Sequence, residues 1–257
     1  MIKIKNLSKS FDSCQVIKGL SIDIASNSTL VILGRSGVGK SVLLKLIIGV
    51  FAPDEGSITI DDLEITSMTK KERFKKLKNI GMLFQGSALF DSMNIEENIG
   101  FFLRQHGNLE TGKSYSSAEI KDMVGHALEK VGLAGVEEKM PSDLSGGMRK
   151  RAGLARLVIY RPTILLYDEP TTGLDPITAM QINDLILEIQ EELQATSIVV
   201  THDIISALCV GDRFALHEVG RIIHEDSPDN FMKIDHPTIN FLNKTITQDP
   251  RTLRRNS

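Results

Sequence analysis

A phosphate-binding pattern, G-x-x-x-x-G-K-[ST], is formed by Gly34, Arg35, Ser36, Gly37, Val38, Gly39, Lys40 and Ser41. Its glycines let backbone N–H groups converge on phosphate oxygens without Cβ clashes. The pattern follows an apolar run, Thr29–Leu33, and precedes a predicted helix, Val42–Ile48, whose N-terminal dipole favours anions. Lys40 would place a positive charge at the β- and γ-phosphates, and the Ser41 hydroxyl would ligate Mg²⁺. These residues predict a nucleotide phosphate site.

Two acidic residues end a second apolar run, Ile164–Tyr167. Carboxylates at the C-terminal edge of a parallel strand lie where such sheets bind ligands. We expect Asp168 to hold the Mg²⁺ shell through water. Glu169 would polarise the water that attacks the γ-phosphate, because hydrolysis of this kind depends on positioning and on charge stabilisation.

A second anion-binding helix end is predicted at Ser145, Gly146 and Gly147, which precede a helix carrying several arginines and a lysine. Both helix ends can serve one phosphate group only if the geometry brings them together. A head-to-tail pair of chains does this, with each nucleotide between the phosphate loop of one chain and the Ser-Gly-Gly turn of the other.

The elements around these residues predict an α/β fold: a P-loop NTPase core with a mostly parallel sheet, a flanking antiparallel β layer and an inserted helical subdomain. Core elements are the runs above, the strand Ser197–Thr201 and the helix Pro176–Glu192. The antiparallel layer is expected at Ile2–Leu7, Val16–Leu20, Ser21–Ala25 and Ser57–Ile60.

Strand signals vanish from about 94 to 160, so this stretch is taken as the helical subdomain. Its expected helices are Asn94–Phe102, Ser117–Val131 and Ser145–Tyr160, with a polar loop over Arg104–Ser116. The ATPase domain is expected over residues 1–243. Residues 244–257 would form a mobile or docking tail, since its last part is polar with three arginines.

Composition narrows the function classes. The 257 residues include 30 Lys+Arg and 33 Asp+Glu, a net charge of −3, which argues against a sequence-independent nucleic-acid binder. Cys14 and Cys209 stand in no metal-ligand spacing and are expected to be reduced thiols. Without a run of about 18–20 apolar residues, a role at a membrane requires docking onto other chains.

The sequence resembles the ATP-binding cassette family from about Ile2 to Glu225. The resemblance implies that Phe11 stacks on adenine and that Gln85, after a strand Ile80–Phe84, senses Mg²⁺ and links to the membrane subunit. Leu144–Met148 resembles the LSGGQ signature with Met148 in place of Gln. The resemblance also implies that Asp175 lies in a loop crossing the dimer interface and that His202 contacts the γ-phosphate.

Three segments look like the Mla-type cassettes, which partner with MCE-domain proteins and move lipids across bacterial envelopes: Phe84–Met93, Leu144–Arg151 and Thr171–Thr178. The resemblance implies ATP and Mg²⁺ as cofactors and two cassettes on two transmembrane permease chains. A ring of MCE subunits and a small regulatory subunit are further implied partners. The chain would then be cytoplasmic, peripheral on the inner face of the inner membrane.

Three other interpretations stay open. The cassette could serve an importer of amino acids or another small solute, with the same phosphate chemistry. It could be an ABC ATPase without a permease, such as the iron–sulfur assembly type, which has a similar length. It could also be a nucleotide-binding switch without turnover, although Glu169 and His202 together argue against that.

Overall fold

The computed structural model describes residues 1–109 and 111–247, in which the chain forms ten strands and nine α-helices. The strands are β1 (Ile2–Phe11), β2 (Cys14–Ile24), β3 (Thr29–Leu33), β4 (Glu55–Ile60), β5 (Leu63–Glu64), β6 (Ile80–Leu83), β7 (Ile164–Asp168), β8 (Thr196–Thr201), β9 (Arg213–Glu218) and β10 (Arg221–Asp226). The helices are α1 (Lys40–Ile47), α2 (Lys70–Leu77), α3 (Ile95–His106), α4 (Ser117–Lys130), α5 (Gly146–Val158), α6 (Pro176–Leu193), α7 (Ile204–Val210), α8 (Pro228–Phe231) and α9 (Pro237–Thr247).

A six-stranded sheet with the order β10-β9-β3-β8-β7-β6 forms the centre of the described chain. The pairs from β9 to β6 are parallel, and β10 joins the edge as an antiparallel strand. Every residue of β3, β7 and β8 is buried, because helices cover one face and the second sheet and α1 cover the other. The carboxyl ends of β3, β7 and β8 therefore meet at one edge of the sheet. The predicted fold class is confirmed.

The flanking antiparallel sheet has the order β2-β1-β4-β5. Sequence analysis placed two strands, Val16–Leu20 and Ser21–Ala25, where the structure has the single strand β2. Gly19 explains the difference: it adopts φ +63°, and the pairing with β1 shifts by one residue between Leu7↔Leu20 and Lys9↔Ile17. A β-bulge at this glycine bends the strand without ending it.

The helical subdomain packs α3, α4 and α5 around an apolar core. Capping boxes start α3 at Asn94 with Glu97 and α4 at Ser116 with Glu119. Helix α3 continues to His106 and ends at Gly107, whose φ of +63° ordinary residues rarely adopt. The polar loop expected from Arg104 therefore begins about three residues later than predicted.

The last described helix crosses the expected end of the ATPase domain. Helix α9 runs through the boundary between residues 243 and 244, and Ile239 on it is buried against the main core. The rest of the expected tail, 248–257, lies outside the described residues. None of the helices in residues 1–109 and 111–247 is both long and apolar enough to cross a membrane.

A buried histidine lies directly behind the phosphate loop. His217 on β9 is fully buried, and neither of its ring nitrogens has a hydrogen-bond partner among the described residues. Its backbone oxygen lies 2.5 Å from where a Cβ on Gly34 would stand, so only glycine fits there. Burial, with the positive charge of Lys40, lowers the pKa of His217 to about 4.

This depressed pKa predicts a pH-dependent loss of stability. The unfolded chain protonates His217 below about pH 6.5, whereas the folded chain resists protonation down to about pH 4. The stability is therefore complete above pH 6.5 and is lost as the pH falls through this window, by about 2 kcal/mol at pH 5. Urea unfolding at pH 7.5 and pH 5 measures the effect.

His217→Leu should remove this pH dependence. Relative to the parent, the unfolding free energy of the variant should therefore rise by about 2 kcal/mol between pH 7.5 and pH 5. His126→Leu, at an exposed histidine on α4, is the matched control and should leave the parental pH dependence. A constant difference between His217→Leu and the parent at both pH values would contradict the prediction.

Candidate active site

The phosphate loop connects β3 to α1 and depends on glycine backbone conformations. Gly37 and Gly39 adopt φ values of +82° and +105°, and Gly39 is the N-cap of α1. A Cβ on Gly39 would also stand 2.7 Å from the Val16 side chain. The loop consequently wraps the open N-terminus of α1, where unpaired N–H groups favour phosphate.

Lys40 is buried at the base of this loop, with 5% of its surface exposed. Its Nζ donates to the backbone oxygens of Gly34 at 2.7 Å and Arg35 at 3.1 Å. The same ammonium lies 3.3 Å from Oε1 of Glu169, which forms a buried ion pair between the loop and the end of β7. The lysine charge is thus already positioned where the phosphates of a nucleotide would arrive.

Ser41 and Asp168 meet at the site that sequence analysis assigned to Mg²⁺. The Ser41 hydroxyl donates to Oδ1 of Asp168 at 2.7 Å. Burial raises the pKa of Asp168, and the hydrogen bond from Ser41 offsets part of that shift. A buried carboxylate beside a hydroxyl is a hard-oxygen donor set that a divalent cation would stabilise, so these residues fit Mg²⁺.

Glu169 has a constrained backbone and a fully used carboxylate. It adopts φ +49°, in the left-handed region, immediately after β7. Its Oε2 accepts from Thr172 Oγ1 at 3.0 Å and lies 2.8 Å from Nδ1 of His202. Because a carboxylate only accepts, Nδ1 must carry the hydrogen in this arrangement. Glu169 therefore bridges Lys40 on one side and His202 on the other.

These groups, with the exception of Asp168, line a cleft of about 360 Å³. Its lining consists of Val16, Ser36, Gly37, Gly39, Lys40, Ser41, Val42, Gln85, Glu169, Thr172 and His202. Phe11 lies at the end of β1 and packs edge-on against Phe51, with ring centroids 5.0 Å apart. Val16 lines the cleft, whereas Phe11 is not among its lining residues. The adenine-stacking role of Phe11 therefore stays a prediction.

The Ser-Gly-Gly turn lines a separate cleft of about 490 Å³, together with Gly173, Asp175 and Thr178. Ser145 caps α5 by accepting from Met148 N at 3.3 Å. The Asp175 carboxylate caps α6, accepting from the backbone nitrogens of Ile177 and Thr178. Within one chain the structure thus does not bring Ser145 to the phosphate loop, which matches the expected need for a second chain.

Lys150 is a site residue that sequence analysis missed. It is 4% exposed, and its Nζ donates to the backbone oxygens of Gln85 at 2.6 Å and Glu169 at 3.2 Å. Burial lowers its pKa to about 8. A signal was present, because Lys150 shares the apolar stripe of α5 with Leu154 and Leu157 at helical spacing.

The phosphate loop, the buried lysine and the two carboxylates at the carboxyl end of β7 define a P-loop ATPase. The chain belongs to the ABC transporter family, whose model matches residues 17–172. It therefore carries an ATP-binding cassette that hydrolyses ATP, as the resemblance implied.

Known proteins of several transport systems are similar to this chain. The "Probable ribonucleotide transport ATP-binding protein mkl" of Mycobacterium leprae is 41% identical over 243 residues, covering 94% of this chain and 68% of that protein. The "Intermembrane phospholipid transport system ATP-binding protein MlaF" of Haemophilus influenzae is 36% identical over 233 residues, covering 91% and 86%. The "Methionine import ATP-binding protein MetN" of Carboxydothermus hydrogenoformans is 38% identical over 256 residues, covering 97% and 73%.

A solved structure shares the fold over most of the chain. The ATP-binding cassette MJ0796, in a dimeric post-hydrolysis state bound to ADP and Pi, superposes with a TM-score of 0.81 at 29% identity. The match covers 88% of this chain and 98% of MJ0796.

Lys40→Ala should weaken ATP binding about 10- to 100-fold, because a hydrogen bond to a charged group contributes about 1.5–3 kcal/mol. Calorimetric titration of the purified chain with ATP measures the change. Lys75→Ala, at an exposed lysine on α2, is the control and should bind ATP like the parent. Thermal melts verify that both variants fold, and parental ATP affinity in a folded Lys40→Ala variant would contradict the assigned role.

Proposed function

We propose that this chain is the ATP-hydrolysing subunit of a lipid transporter, working as a head-to-tail dimer around two Mg-ATP and driving permease subunits in a bacterial envelope. One observation carries the catalytic part of the proposal: the Glu169 carboxylate is held between Lys40 and His202, beside the Ser41–Asp168 pair. This arrangement supports a base, a cation and a metal site at one cleft.

In the proposed reaction the loop N–H groups and Lys40 bind the β- and γ-phosphates. Mg²⁺, held by Ser41, Gln85 and the Asp168 shell, would neutralise phosphate charge. Once Lys40 contacts phosphate, Glu169 is released from its ion pair and can orient and polarise the attacking water. His202 donates to Glu169 from Nδ1, which leaves its Nε2 to contact the γ-phosphate.

The dimer follows from the two clefts. The turn at Ser145, Gly146 and Gly147 is a helix end that lines a different cleft from the phosphate loop of the same chain. A two-fold axis would place this turn, with the loop at Asp175, over the nucleotide of the second chain. The dimeric state of MJ0796 supports this arrangement, since that cassette is similar in fold and in sequence.

The permease would dock beside Gln85, where aromatic side chains are exposed. Phe90 is 42% exposed and packs on Phe101 at 4.9 Å between ring centroids. Buried Asn98 fixes this segment, accepting from Phe90 N and donating to the Phe90 and Met93 oxygens. A rigid apolar surface next to Gln85 suits a short helix from a membrane subunit. The chain would then lie on the cytoplasmic face of the inner membrane.

Lipid cargo, an MCE-domain partner and a small regulatory subunit are the finer part of the proposal. The similarity to MlaF over 91% of the chain supports the lipid cargo. The MCE-domain partner and the regulatory subunit rest on the resemblance of the segments around Gln85 and Ser145 to Mla-type cassettes. The similarity to MetN is of the same order, so a small-solute importer is the second candidate. A permease-free cassette would use the same phosphate chemistry. It differs from both candidates in the proteins that it binds, which include no permease.

Glu169→Gln should lower steady-state ATP hydrolysis of the assembled complex by about 100-fold or more, the usual contribution of a general base. ATP binding should be retained, because the substitution frees Lys40 for phosphate, and the ATP-bound dimer should accumulate. Phosphate release measures hydrolysis, and light scattering measures accumulation of the ATP-bound dimer. Glu191→Gln, at an exposed glutamate of α6, is the matched control. Hydrolysis at the parental rate would remove Glu169 from this role.

Purification of the tagged chain from its native host in mild detergent tests the cargo. We expect a permease, an MCE-domain protein and bound phospholipid to co-purify, as identified by mass spectrometry and lipid extraction. The Lys40→Ala variant should recover the same partners, since docking lies outside the phosphate loop. A permease with a solute-binding protein would favour the importer, and soluble partners alone would favour the permease-free class.

A further inference from the structure

Helix α5 places a buried ammonium between the two loops that follow β6 and β7. Lys150 Nζ donates to the Gln85 oxygen at 2.6 Å and to the Glu169 oxygen at 3.2 Å. Burying a lysine is costly unless its donors are paired, and here the pairs are backbone carbonyls of two site loops. The position of the Lys150 ammonium is therefore fixed by these two carbonyl groups.

The backbone carbonyls of Gln85 and Glu169 lie beyond the last residue pair of the β6–β7 ladder. The β6–β7 ladder ends at Leu83↔Tyr167, two residues before Gln85 and Glu169. Beyond that point no ladder pair joins the two loops to each other among the described residues, although Glu169 N still donates to Val200 O of β8 at 2.9 Å. Lys150 supplies a cross-link in place of the next ladder bonds, and so it fixes the spacing between Gln85 and Glu169.

The cross-link also reaches the signature turn. Lys150 lies five residues after Ser145 on one continuous helix, in which Arg149 N donates to Ser145 O at 2.9 Å. A helix of this length moves as a rigid element, so a displacement of the Ser145 end displaces Lys150. Arg156 on the same helix donates to Ser87 O and Ala88 O, which gives a second cation on the same loop but at a distance from Glu169.

We infer that Lys150 is a positioning residue, which holds Gln85 and Glu169 in register and ties that register to the Ser145–Gly147 turn. Hydrolysis in one nucleotide site then depends on the helix whose N-terminus contacts the nucleotide of the other site. This second step rests on the proposed head-to-tail dimer, whereas the register itself is a property of a single chain.

A purely structural role for Lys150 makes different predictions. A lysine that only stabilises the fold would change the melting temperature and would scale activity with the folded fraction. A positioning residue changes the turnover number of the folded protein and leaves nucleotide binding in place, because the phosphate loop is not displaced.

The assembled wild-type complex and its Lys150→Met variant test the inference by ATP hydrolysis and ATP titration. We expect kcat to fall at least 10-fold, with KM and ATP affinity within about threefold of the parent and a lower Hill coefficient for ATP. Lys150→Arg should recover part of kcat, because it can still donate to both carbonyls. Lys150→Gln, one bond shorter than lysine, carries the same test if the methionine variant does not fold.

Arg156→Met is the matched control, because it removes two hydrogen bonds to the same loop without touching Glu169. Its kcat should stay within about threefold of the parent. An equal loss in Arg156→Met and Lys150→Met would show general loosening of the loop and would overturn the inference.

A double-mutant cycle with Gln85→Ala gives the last criterion. If Lys150 acts by positioning Gln85 and Glu169, Lys150→Met should cost clearly less kcat in the Gln85→Ala background than in the parent. Independent, multiplying losses, or a parental kcat in Lys150→Met, would overturn the inference. If the parent complex did not hydrolyse ATP, or if Glu169→Gln hydrolysed it at the parental rate, the result would instead count against the proposed function.

Discussion

The buried ion pair between Lys40 and Glu169 is the interaction on which the site depends. Lys40 follows β3, Glu169 follows β7, and His202 follows β8, which lies between them in the sheet. Two adjacent carboxylates, Asp168 and Glu169, are buried at this edge, which is costly without nearby cations. Lys40 offsets part of that cost, and the parallel order of the strands is what brings it there.

This pair also explains how the cleft is prepared for a phosphate. Lys40 is held by two loop carbonyls and by Glu169, so its ammonium is already desolvated and oriented. In the proposed reaction a phosphate oxygen would take the place of the carboxylate at the lysine, and this exchange would free Glu169 at the same step. Phosphate binding and release of the proposed base would therefore be linked by a single cation.

Local sequence patterns were sufficient to locate the phosphate loop and the two carboxylates beside the strands that position them, whereas their roles stay predictions. The loop follows β3 and the carboxylates lie at the end of β7, so their geometry follows from glycine conformations and strand burial. The longer reach of α3 was missed because Gly107, and not the polar residues before it, ends the helix. Helix α2 and the hairpin β9–β10 were not predicted from the sequence, because neither contains a motif with a recognised chemical role.

Long-range contacts were the part that sequence could not supply. Lys150 joins residues 65 and 19 positions away, and only the packing of α5 against the β6 and β7 loops shows that both carbonyls need a donor. The bulge at Gly19 is similar, because a glycine inside a strand pattern is identified as a bulge only when the register of the partner strand is known. In both cases the deciding interaction lies in a different element from the residue itself.

The separation of the two clefts has a consequence for the reaction. The phosphate loop supplies contacts to one side of a nucleotide, while the open helix end at Ser145 faces another cleft of the same chain. A transition state that develops charge on several γ-phosphate oxygens gains most from donors on both sides. A single chain would therefore hold ATP more readily than it hydrolyses it, and completion of the site by a second chain would raise turnover more than affinity. In the proposed dimer this division would tie hydrolysis to the approach of two chains, which is the motion that a permease bound beside Gln85 would use.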